Sequence, residues 1–355
     1  MKGVNNMDIL KIMVMADFFP FIVALAVTAL LGPAFIPWLH KLKFGQEIRE
    51  EGPKWHQKKS GTPTMGGIMF IIGIGVAVAA VCVIAAINGV FSRSREGKLI
   101  LLYIIAAGFG MVGFVDDYIK VVKKRNLGLK PLQKLILQLV MTVVYVLAVY
   151  FIEGEVNSSI SIPFTSYELV LPVWIYVPFI MFVMLGTVNA VNLTDGLDGL
   201  AASVTFVECL YFAVLGAMIG EFMHVSYIAA AAAGAMIGFL FYNRYPAKVF
   251  MGDTGSLFLG GIVAIMAIDT RTEILLIIAG FVYFMETLSV IMQTTYFKYT
   301  KKKYGEGRRI FKMSPLHHHF EMCKWSEVKI VTVFSVATLI LSVIALLCNT
   351  QLGLF

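Results

Sequence analysis

Long apolar segments alternate with short polar ones along almost the whole chain. A helix that crosses a bilayer needs about 20 predominantly apolar residues, and ten segments approach that length. They are Phe18–Leu39, Gly66–Asn88, Leu99–Val115, Leu132–Ile152, Pro172–Val191, Gly199–Ile219, Val225–Asn243, Ser256–Ile268, Ile274–Phe297 and Val328–Cys348. The pattern predicts an all-α, polytopic integral membrane protein with about ten transmembrane helices.

The lysines and arginines are concentrated in alternate connections. The loops after the first, third and ninth segments hold most of them, and the connections on the other face hold few. Cytoplasmic loops of membrane proteins are rich in these residues, so we expect the odd-numbered loops to be cytoplasmic and both termini to be extracytoplasmic. No soluble domain or repeat interrupts the pattern, which predicts a single membrane domain over residues 1–355.

The composition of the 355-residue chain agrees with this prediction. It is 59% hydrophobic and only 14% charged, whereas about a quarter of the residues in a soluble protein are charged. The net charge of +7 is typical of lysine-rich cytoplasmic loops and does not indicate nucleic-acid binding. The four cysteines are widely spaced, which favours neither a disulfide framework nor a zinc site. The first apolar segment lacks a cleavage pattern, so no cleavable signal peptide is expected.

A polar stretch separates the fifth and sixth apolar segments. It spans Asn189–Leu200, reads NAVNLTDGLDGL and contains Asn189, Asn192, Asp195 and Asp198, with no lysine or arginine in either flank. Polar groups near a membrane are costly unless water or a ligand satisfies them. A solvated turn between helices is the simpler interpretation, because the glycines suit it. The two carboxylates favour a ligand-binding turn.

Five aspartates fall at the predicted cytoplasmic ends of helices or in their loops. They are Asp116, Asp117, Asp195, Asp198 and Asp253. Neighbouring carboxylates repel one another unless cations are present, and a divalent metal and the lysine-rich loops would supply cations. Mg²⁺ prefers a few carboxylates together with phosphate oxygens and water. The pattern therefore predicts a site for an anionic, metal-chelated ligand such as a phosphate ester on the cytoplasmic face.

Two of the aspartate motifs point to different parts of such a site. In GFVDDYIKVVKK, adjacent aspartates on a helix point about 100° apart, so we expect one to hold a metal and its neighbour to accept a proton or hydrogen-bond. Lys120 and Lys124 share a helix face one turn further on, where they serve either the ligand or the membrane interface. In FMGDTGSLFLGG, Asp253 precedes an apolar helix whose free N–H groups suit phosphate, and simple N-capping is the alternative.

Two further motifs lie in the predicted cytoplasmic loops. SPLHHHFE contains His317, His318 and His319, which cannot all bind one metal from a regular helix, so zinc is disfavoured. These histidines suit hydrogen bonding to phosphate or proton transfer. KKSGTPTMGG either approaches an anion through Lys58 or Lys59, or forms a flexible start to the second helix. Two glutamates within predicted spans, Glu208 and Glu286, receive no role.

Taken together, DDYIKVVKK, NAVNLTDGLDGL, VFMGDTGSL and SPLHHHFE, in that order and with TPTMGG before them, resemble the bacterial phospho-N-acetylmuramoyl-pentapeptide transferases. The resemblance covers essentially the whole chain. It implies an enzyme of peptidoglycan synthesis that transfers phospho-N-acetylmuramoyl-pentapeptide from a UDP-linked donor to undecaprenyl phosphate, giving lipid I and UMP. It also implies Mg²⁺, a multi-pass protein of the bacterial plasma membrane, and a homodimer.

The resemblance further implies roles for single residues. Asp117 and Asp253 match metal-binding positions, and Asp116 matches a proposed base that acts on the lipid phosphate. Asp195 and Asp198 match a nucleoside-binding loop. Phe250 is expected to stack on uracil. Positions near the nucleotide or its phosphates are Lys59, Thr64, Lys120, Lys124 and His317. Of these, His317 is a candidate catalytic residue, together with Asp116, Asp117 and Asp253. The candidate substrate-binding set is completed by Asn189, Asn192, His318 and His319.

Two other functions are compatible with the pattern. A sister transferase would use UDP-N-acetylglucosamine as donor. A cation-coupled transporter would also carry acidic residues, although transporters usually place them near the bilayer midplane. For the transferase itself, direct attack by the lipid phosphate on the donor is the expected route, because phosphoryl transfer needs positioning and charge neutralisation more than covalent chemistry. A two-step route through an enzyme-bound phospho-sugar is the alternative.

Overall fold

The computed structural model describes residues 6–41, 61–122, 128–165 and 167–352, with the side chains of 18–41, 61–121, 128–165, 167–349 and 351–352. The predicted site residues Lys59 and Lys124 lie outside these ranges. The α-helices are α1 Asn6–Lys41, α2 Gly67–Ile87, α3 Lys98–Val122, α4 Pro131–Glu153, α5 Val173–Thr194, α6 Leu200–Met218, α7 Met223–Asn243, α8 Gly252–Asp269, α9 Leu276–Ala279, α10 Phe281–Tyr304, α11 Leu316–Met322 and α12 Glu327–Leu347.

Nine helices within the described ranges are long and apolar enough to cross a membrane, namely α1 to α8 and α12. The prediction of a helical, polytopic membrane protein is therefore confirmed. Helix α1 begins well before the predicted Phe18, at Asn6. One short antiparallel hairpin departs from the all-α prediction: β1 Ser159–Ser161 pairs with β2 Glu168–Val170.

The predicted ninth span, Ile274–Phe297, differs from the structure. The chain forms the short helix α9, turns at Gly280 and then begins α10, which continues past Phe297 to Tyr304. A Cβ atom at Gly280 would lie 2.9 Å from the carbonyl oxygen of Leu276, so the turn is tightly packed. The apolar pattern gave no sign of this break because the residues on both sides of Gly280 are apolar. Helix α10 is not among the nine.

Helix α8 lies at the centre of the bundle, where almost every residue from Thr254 to Ile268 is buried. Glycines bring neighbouring backbones against its first turn. A Cβ at Gly113 of α3 would lie 2.0 Å from the carbonyl oxygen of Asp253, and a Cβ at Gly67 of α2 would lie 2.3 Å from the Cα of Gly255. Small residues allow membrane helices to approach this closely. The C-terminal part of α3 is therefore held against the N-terminus of α8.

Helices α3, α4, α5 and α8 carry polar side chains at both ends of the bundle. At one end, which we call the aspartate end, lie the C-terminal parts of α3 and α5 and the first turns of α4 and α8. At the other, which we call the far end, the opposite ends of the same helices line a cavity of about 260 Å³ whose polar residues include Lys98, Glu153, Tyr176 and Asp269.

Candidate active site

Three carboxylates meet at the aspartate end. Asp116 and Asp117 come from α3 and Asp253 comes from the first turn of α8, and one carboxylate oxygen of each lies within 4.8 Å of the others. Asp116 and Asp117 are buried, and Asp253 is half-buried. The predicted meeting of these motifs is observed. The two adjacent aspartates of α3 reach one centre, although they bind different partners.

Asp117 caps helix α8 from a neighbouring helix. Its Oδ1 accepts a hydrogen bond from the backbone N–H of Asp253 (3.2 Å). Its Oδ2 accepts from the backbone N–H (2.9 Å) and the hydroxyl (2.7 Å) of Thr254. The first N–H groups of a helix have no partner within it, and a negative charge there is favourable. The capping is thus supplied by Asp117, not by Asp253 or Thr254.

Gly252 allows the loop before α8 to pass beside this carboxylate. Its φ of +71° lies in the left-handed region that glycine adopts without strain. A Cβ at this position would lie 2.5 Å from Oδ2 of Asp117 and 2.7 Å from Oγ1 of Thr64. Glycine is therefore required at position 252 for two reasons: the backbone conformation is strained for other residues, and a side chain would collide with Asp117 and Thr64. The same contacts place the predicted residue Thr64 beside the aspartates.

Two lysines neutralise part of the carboxylate charge. Lys120 places its Nζ 2.5 Å from Oδ2 of Asp116, 2.8 Å from Oδ2 of Asp253 and 3.7 Å from Oδ1 of Asp117. The Nζ of Lys134 lies 3.1 Å from the same Oδ2 of Asp253. Among these described side chains, three carboxylates share two ammonium groups. The cluster therefore keeps an excess negative charge that a bound cation would neutralise.

Lys134 was missed by the sequence analysis. It lies in the first turn of α4, inside the predicted span Leu132–Ile152, and was not among the loop lysines that were considered. The available signal was its position, because a charged residue within an apolar span is by default a functional candidate. Its ion pair with Asp253 adds α4 to the helices that build the site.

Asn192 binds the cluster directly, whereas Asn189 does not. The side-chain amide of Asn192 donates to Oδ1 of Asp253 (2.8 Å) and to the hydroxyl of Ser256 (2.7 Å). The amide of Asn189, about one helical turn earlier, donates to Oε1 of Gln138 in α4 (2.8 Å). Asn189 thus joins α4 to α5, and Asn192 holds Asp253 in place.

The two aspartates of the turn between α5 and α6 differ in their surroundings. The carboxylate of Asp195 forms no hydrogen bond or ion pair with the described residues, whereas its backbone N–H donates to the carbonyl of Asn192 at 3.3 Å. Its burial, and next the charges of Asp253, Asp117 and Asp198, raise the pKa of Asp195 to about 8. Asp198 is buried, and its Oδ2 accepts a hydrogen bond from the backbone N–H of Ala247 at 2.9 Å. Asp195 is close enough to the carboxylate cluster to be affected by its charge, whereas Asp198 stabilises the segment that leads to α8.

Phe250 lies between the segment around Thr64 and the start of α8. Its backbone N–H donates to the carbonyl of Pro63 and its carbonyl accepts from the N–H of Gly66, both at 2.8 Å. Its side chain is half-buried. These hydrogen bonds fix the backbone of Phe250 between the two segments.

The three consecutive histidines have three different environments. His317 is buried, and a Cβ at Gly196, next to Asp195, would lie 2.1 Å from its Nε2. The Nδ1 of His318 lies 2.7 Å from Oε2 of Glu321. Nδ1 of His319 accepts from the backbone N–H of Lys312 at 3.1 Å. Of the three rings, the structure places that of His317 against the turn that carries Asp195.

This arrangement suits the handling of phosphate esters. Buried carboxylates, two lysines and the N-terminus of a helix provide oxygen ligands for a hard cation and positive groups for phosphate oxygens. The fold and the site therefore define a class: a polytopic membrane protein with a carboxylate cluster that could hold a metal ion at one end of its helices. Comparison with known proteins then identifies the family.

The chain matches the family model described as "Glycosyl transferase family 4" over residues 99–271 and a phospho-N-acetylmuramoyl-pentapeptide-transferase signature over residues 59–71. Curated proteins of that name are similar over most of their length. The protein of Clostridium beijerinckii is 49% identical over 326 residues, which cover 92% of this chain and 94% of the relative. That of Bacillus licheniformis is 49% identical over 328 residues (92% and 96%), and that of Clostridium botulinum Eklund 17B is 47% identical over 319 residues (90% and 92%).

The chain belongs to the phospho-N-acetylmuramoyl-pentapeptide-transferase family. The resemblance identified from the motifs is thereby confirmed, and so is the prediction of a transferase. The relatives are bacterial, and nine of the described helices can cross a membrane. The protein is a multi-pass enzyme of the bacterial plasma membrane.

Proposed function

We propose that this enzyme transfers phospho-N-acetylmuramoyl-pentapeptide from its UDP-linked form to undecaprenyl phosphate, releasing UMP and forming lipid I. The observation that carries the proposal is the cluster of Asp116, Asp117 and Asp253 with two lysines at one end of the bundle. Both substrates are phosphate esters, and one is a membrane lipid. A site at the end of membrane helices is accessible to both.

Mg²⁺ is the proposed cofactor. The carboxylate oxygens are hard ligands, lie close together and outnumber the lysines that contact them, which fits a divalent cation that also binds phosphate. Asp117 and Asp253 are the proposed ligands. The cation would neutralise the diphosphate of the donor, which is the main requirement of phosphoryl transfer.

Asp116 is the proposed acceptor of a proton from the lipid phosphate. Its Oδ1 accepts a hydrogen bond from the backbone N–H of Leu129 (2.7 Å) and its Oδ2 faces Lys120. These contacts fix the carboxylate at the edge of the cluster. The proposed reaction is direct attack of the lipid phosphate on the β-phosphate of the donor. Isotope exchange between UMP and the UDP-linked donor without any lipid acceptor would instead require the two-step route.

The remaining predicted residues form the proposed nucleotide-binding region. Asp195 and the turn that carries it adjoin the cluster, and Phe250 lies on the other side of the loop before α8, where it would stack on uracil. Thr64, Lys120 and His317 border the same space. The other proposed contacts are Lys59, Lys124, Asn189, Asn192, Asp198, His318 and His319.

The proposed arrangement in the membrane has ten crossings, with α10 as the crossing beyond the nine helices described above. Both termini would then be extracytoplasmic, and the aspartate end would be cytoplasmic, where the nucleotide donor is available. The distribution of lysines and arginines supports this orientation. We further propose that residues 1–355 form one membrane domain and that the enzyme is a homodimer.

The direct test is an assay of purified protein with radiolabelled UDP-N-acetylmuramoyl-pentapeptide and undecaprenyl phosphate. UMP and a labelled lipid are expected only when Mg²⁺ is present. Replacing the donor with UDP-N-acetylglucosamine should abolish product, and efficient use of that sugar would identify the sister transferase. Absence of UMP release with both donors would contradict the proposal and favour a transporter.

A further inference from the structure

A buried glutamate of α10 holds His317 at two points. Oε2 of Glu286 lies 3.0 Å from Nδ1 of the imidazole ring, and Oε1 accepts the backbone N–H of His317 at 3.1 Å. Both side chains are almost completely buried. The backbone N–H belongs to the first turn of α11, where it has no partner within the helix. One carboxylate thus fixes both the position and the rotation of the imidazole.

The contact with Glu286 leaves the other ring nitrogen available. A carboxylate beside Nδ1 fixes the N–H on that nitrogen and sets the orientation of the ring. Nε2 is buried and forms no hydrogen bond with the described residues. Nε2 therefore keeps its capacity to accept a hydrogen bond, and its place against the turn that carries Asp195 makes a ligand at that turn its expected partner. Nε2 points at Gly196, directly beside Asp195.

We propose that Glu286 is a positioning residue, which holds His317 so that Nε2 faces the nucleotide donor at the Asp195–Gly196 turn. The inference deepens the proposed function and rests on it. Glu286 itself does not contact the carboxylate cluster. It acts through His317, by contacts to both the ring and the backbone N–H of that residue, and this distinguishes positioning from a general contribution to folding.

A double-mutant cycle tests whether Glu286 acts through His317. Glu286→Gln keeps the shape of the side chain but removes the carboxylate, and His317→Ala removes the ring. Loss of a group that orients a functional histidine costs about 10- to 100-fold, and we expect kcat/KM for the UDP-linked donor to fall by this factor in Glu286→Gln. His317→Ala should lose at least as much. The double variant should be no worse than His317→Ala, because coupled residues are not additive. The KM for the lipid acceptor should be unchanged.

Glu208→Gln is the matched control. Glu208 is also a fully buried glutamate within a helix, and neither of its carboxylate oxygens has a hydrogen-bond partner among the described residues. The same substitution there should leave kcat/KM for the donor within about twofold, since a change away from the site has no route to the reacting groups. Thermal midpoints of all variants in detergent separate kinetic from folding effects.

A second double-mutant cycle combines Gly196→Ala with His317→Ala and tests the contact on the Nε2 side of the ring. Gly196→Ala would place a methyl group within 2.1 Å of Nε2, and the φ of Gly196 is not in the left-handed region, so the displaced ring is the expected cause of damage. The substitution should lower kcat/KM in the parent and have little further effect in His317→Ala, where the methyl group has room. This cycle remains informative if Glu286→Gln fails to fold.

Three results would overturn the inference. The first is a double variant, Glu286→Gln with His317→Ala, in which the loss of kcat/KM equals the product of the losses of the two single variants. The second is full activity of Glu286→Gln. The third is a Gly196→Ala defect of equal size with and without the histidine. If the unmodified enzyme releases no UMP, the proposed function itself fails. An active parent with multiplicative losses would contradict only the role of Glu286.

Discussion

The two ends of α3, α4, α5 and α8 carry similar types of charged and polar residues. They differ in how far the positive and negative charges neutralise one another. At the far end the charges are paired. Lys98 lies 2.5 Å from Glu153, Arg271 lies 2.9 Å from Glu221, and His224 contacts Asp269. Tyr176 donates a hydrogen bond to Glu273 at 2.8 Å. Each of these ionic side chains contacts a group of opposite charge or a hydrogen-bond donor, although Oε2 of Glu273 has no hydrogen-bond partner among the described residues.

At the aspartate end the charges are shared and incompletely balanced. Asp253 alone contacts two lysines and an asparagine, and Asp116 and Asp117 lie within reach of the same Lys120. A cluster with an unsatisfied charge costs stability unless a ligand completes it. The difference teaches that charged residues at a helix end do not by themselves indicate function. An excess of negative over positive charge does indicate it.

The largest expected effect comes from substituting the aspartates at opposite ends of α8. Asp253→Asn removes a proposed metal ligand and the partner of both lysines, and UMP release should fall by about a thousandfold, since such electrostatic groups contribute on this scale. Asp269→Asn should keep kcat within about twofold and lower only the thermal midpoint, because a buried pair is broken. Equal activity of Asp253→Asn and Asp269→Asn would show that the two ends do not differ in function.

Lysines at the two ends of the bundle provide the second comparison. Lys134→Met should lower kcat/KM by about a hundredfold, because one of the two ammonium groups beside Asp253 is lost. Lys98→Met breaks a pair that serves only the far end, and its steady-state kinetics should match those of the parent. Retained activity in Lys134→Met would show that its ion pair is not needed for turnover.

Removal of the metal tests the difference between the two ends without any substitution. Chelation with EDTA should abolish UMP release, and Mg²⁺ should restore it. Mg²⁺ should also raise the thermal midpoint by a few degrees in the parent, since a ligand that binds only the folded state stabilises it. Asp269→Asn should show the same rise and Asp253→Asn should not. A rise in Asp253→Asn would place the cation elsewhere.

The smallest effect concerns pH. The pKa of Asp195 is raised to about 8, by burial and by neighbouring carboxylates, and burial raises the pKa of Glu273, at the far end, to about 7. Both carboxyls are ionised in the unfolded chain above pH 4 to 5 but protonated in the folded one. Folding therefore binds protons in this window, and stability should fall as pH rises from about 5 to 8.

Asp195→Asn and Glu273→Gln should each flatten this decline of the thermal midpoint. Only the Asp195 contribution depends on the charge of Asp253. In an Asp253→Asn background the decline that Asp195 causes should therefore move to lower pH, and the decline that Glu273 causes should not. Identical shifts of both contributions would show that the two ends are electrostatically coupled.

Much of the site could be predicted from sequence because topology alone brings the ends of alternate helices to one face. Asp116 and Asp117 lie at the end of one apolar segment and Asp253 lies at the start of another, and both segments have a countable length, so their meeting did not depend on side-chain detail. The nine membrane-length helices were predictable for the same reason. The N-terminus of α8 was expected to bind an anion, and Asp117 of its own chain occupies that position.

The rest depended on pairings that no local pattern encodes. Lys134 was hidden in an apolar segment, and Glu286 could be connected to His317 only through the turn of the chain between α10 and α11. The nucleoside contact of Asp198 stays a prediction, and its carboxylate also accepts the backbone N–H of Ala247, a pairing that the motif did not indicate. Asp195 and Asp198 are three residues apart and lie just beyond the end of α5, so their side chains need not point in the same direction. The sequence of the motif does not show this.

The backbone contacts at Gly113 and Gly67 have a consequence for inhibitor design. At these positions any side chain would collide with the first turn of α8, so point substitutions there would disrupt the helix that carries Asp253. Resistance to a compound that binds the carboxylate cluster is therefore not expected to arise by substitution at these two glycines, because a variant that carries a side chain there would lose the geometry of the cluster itself.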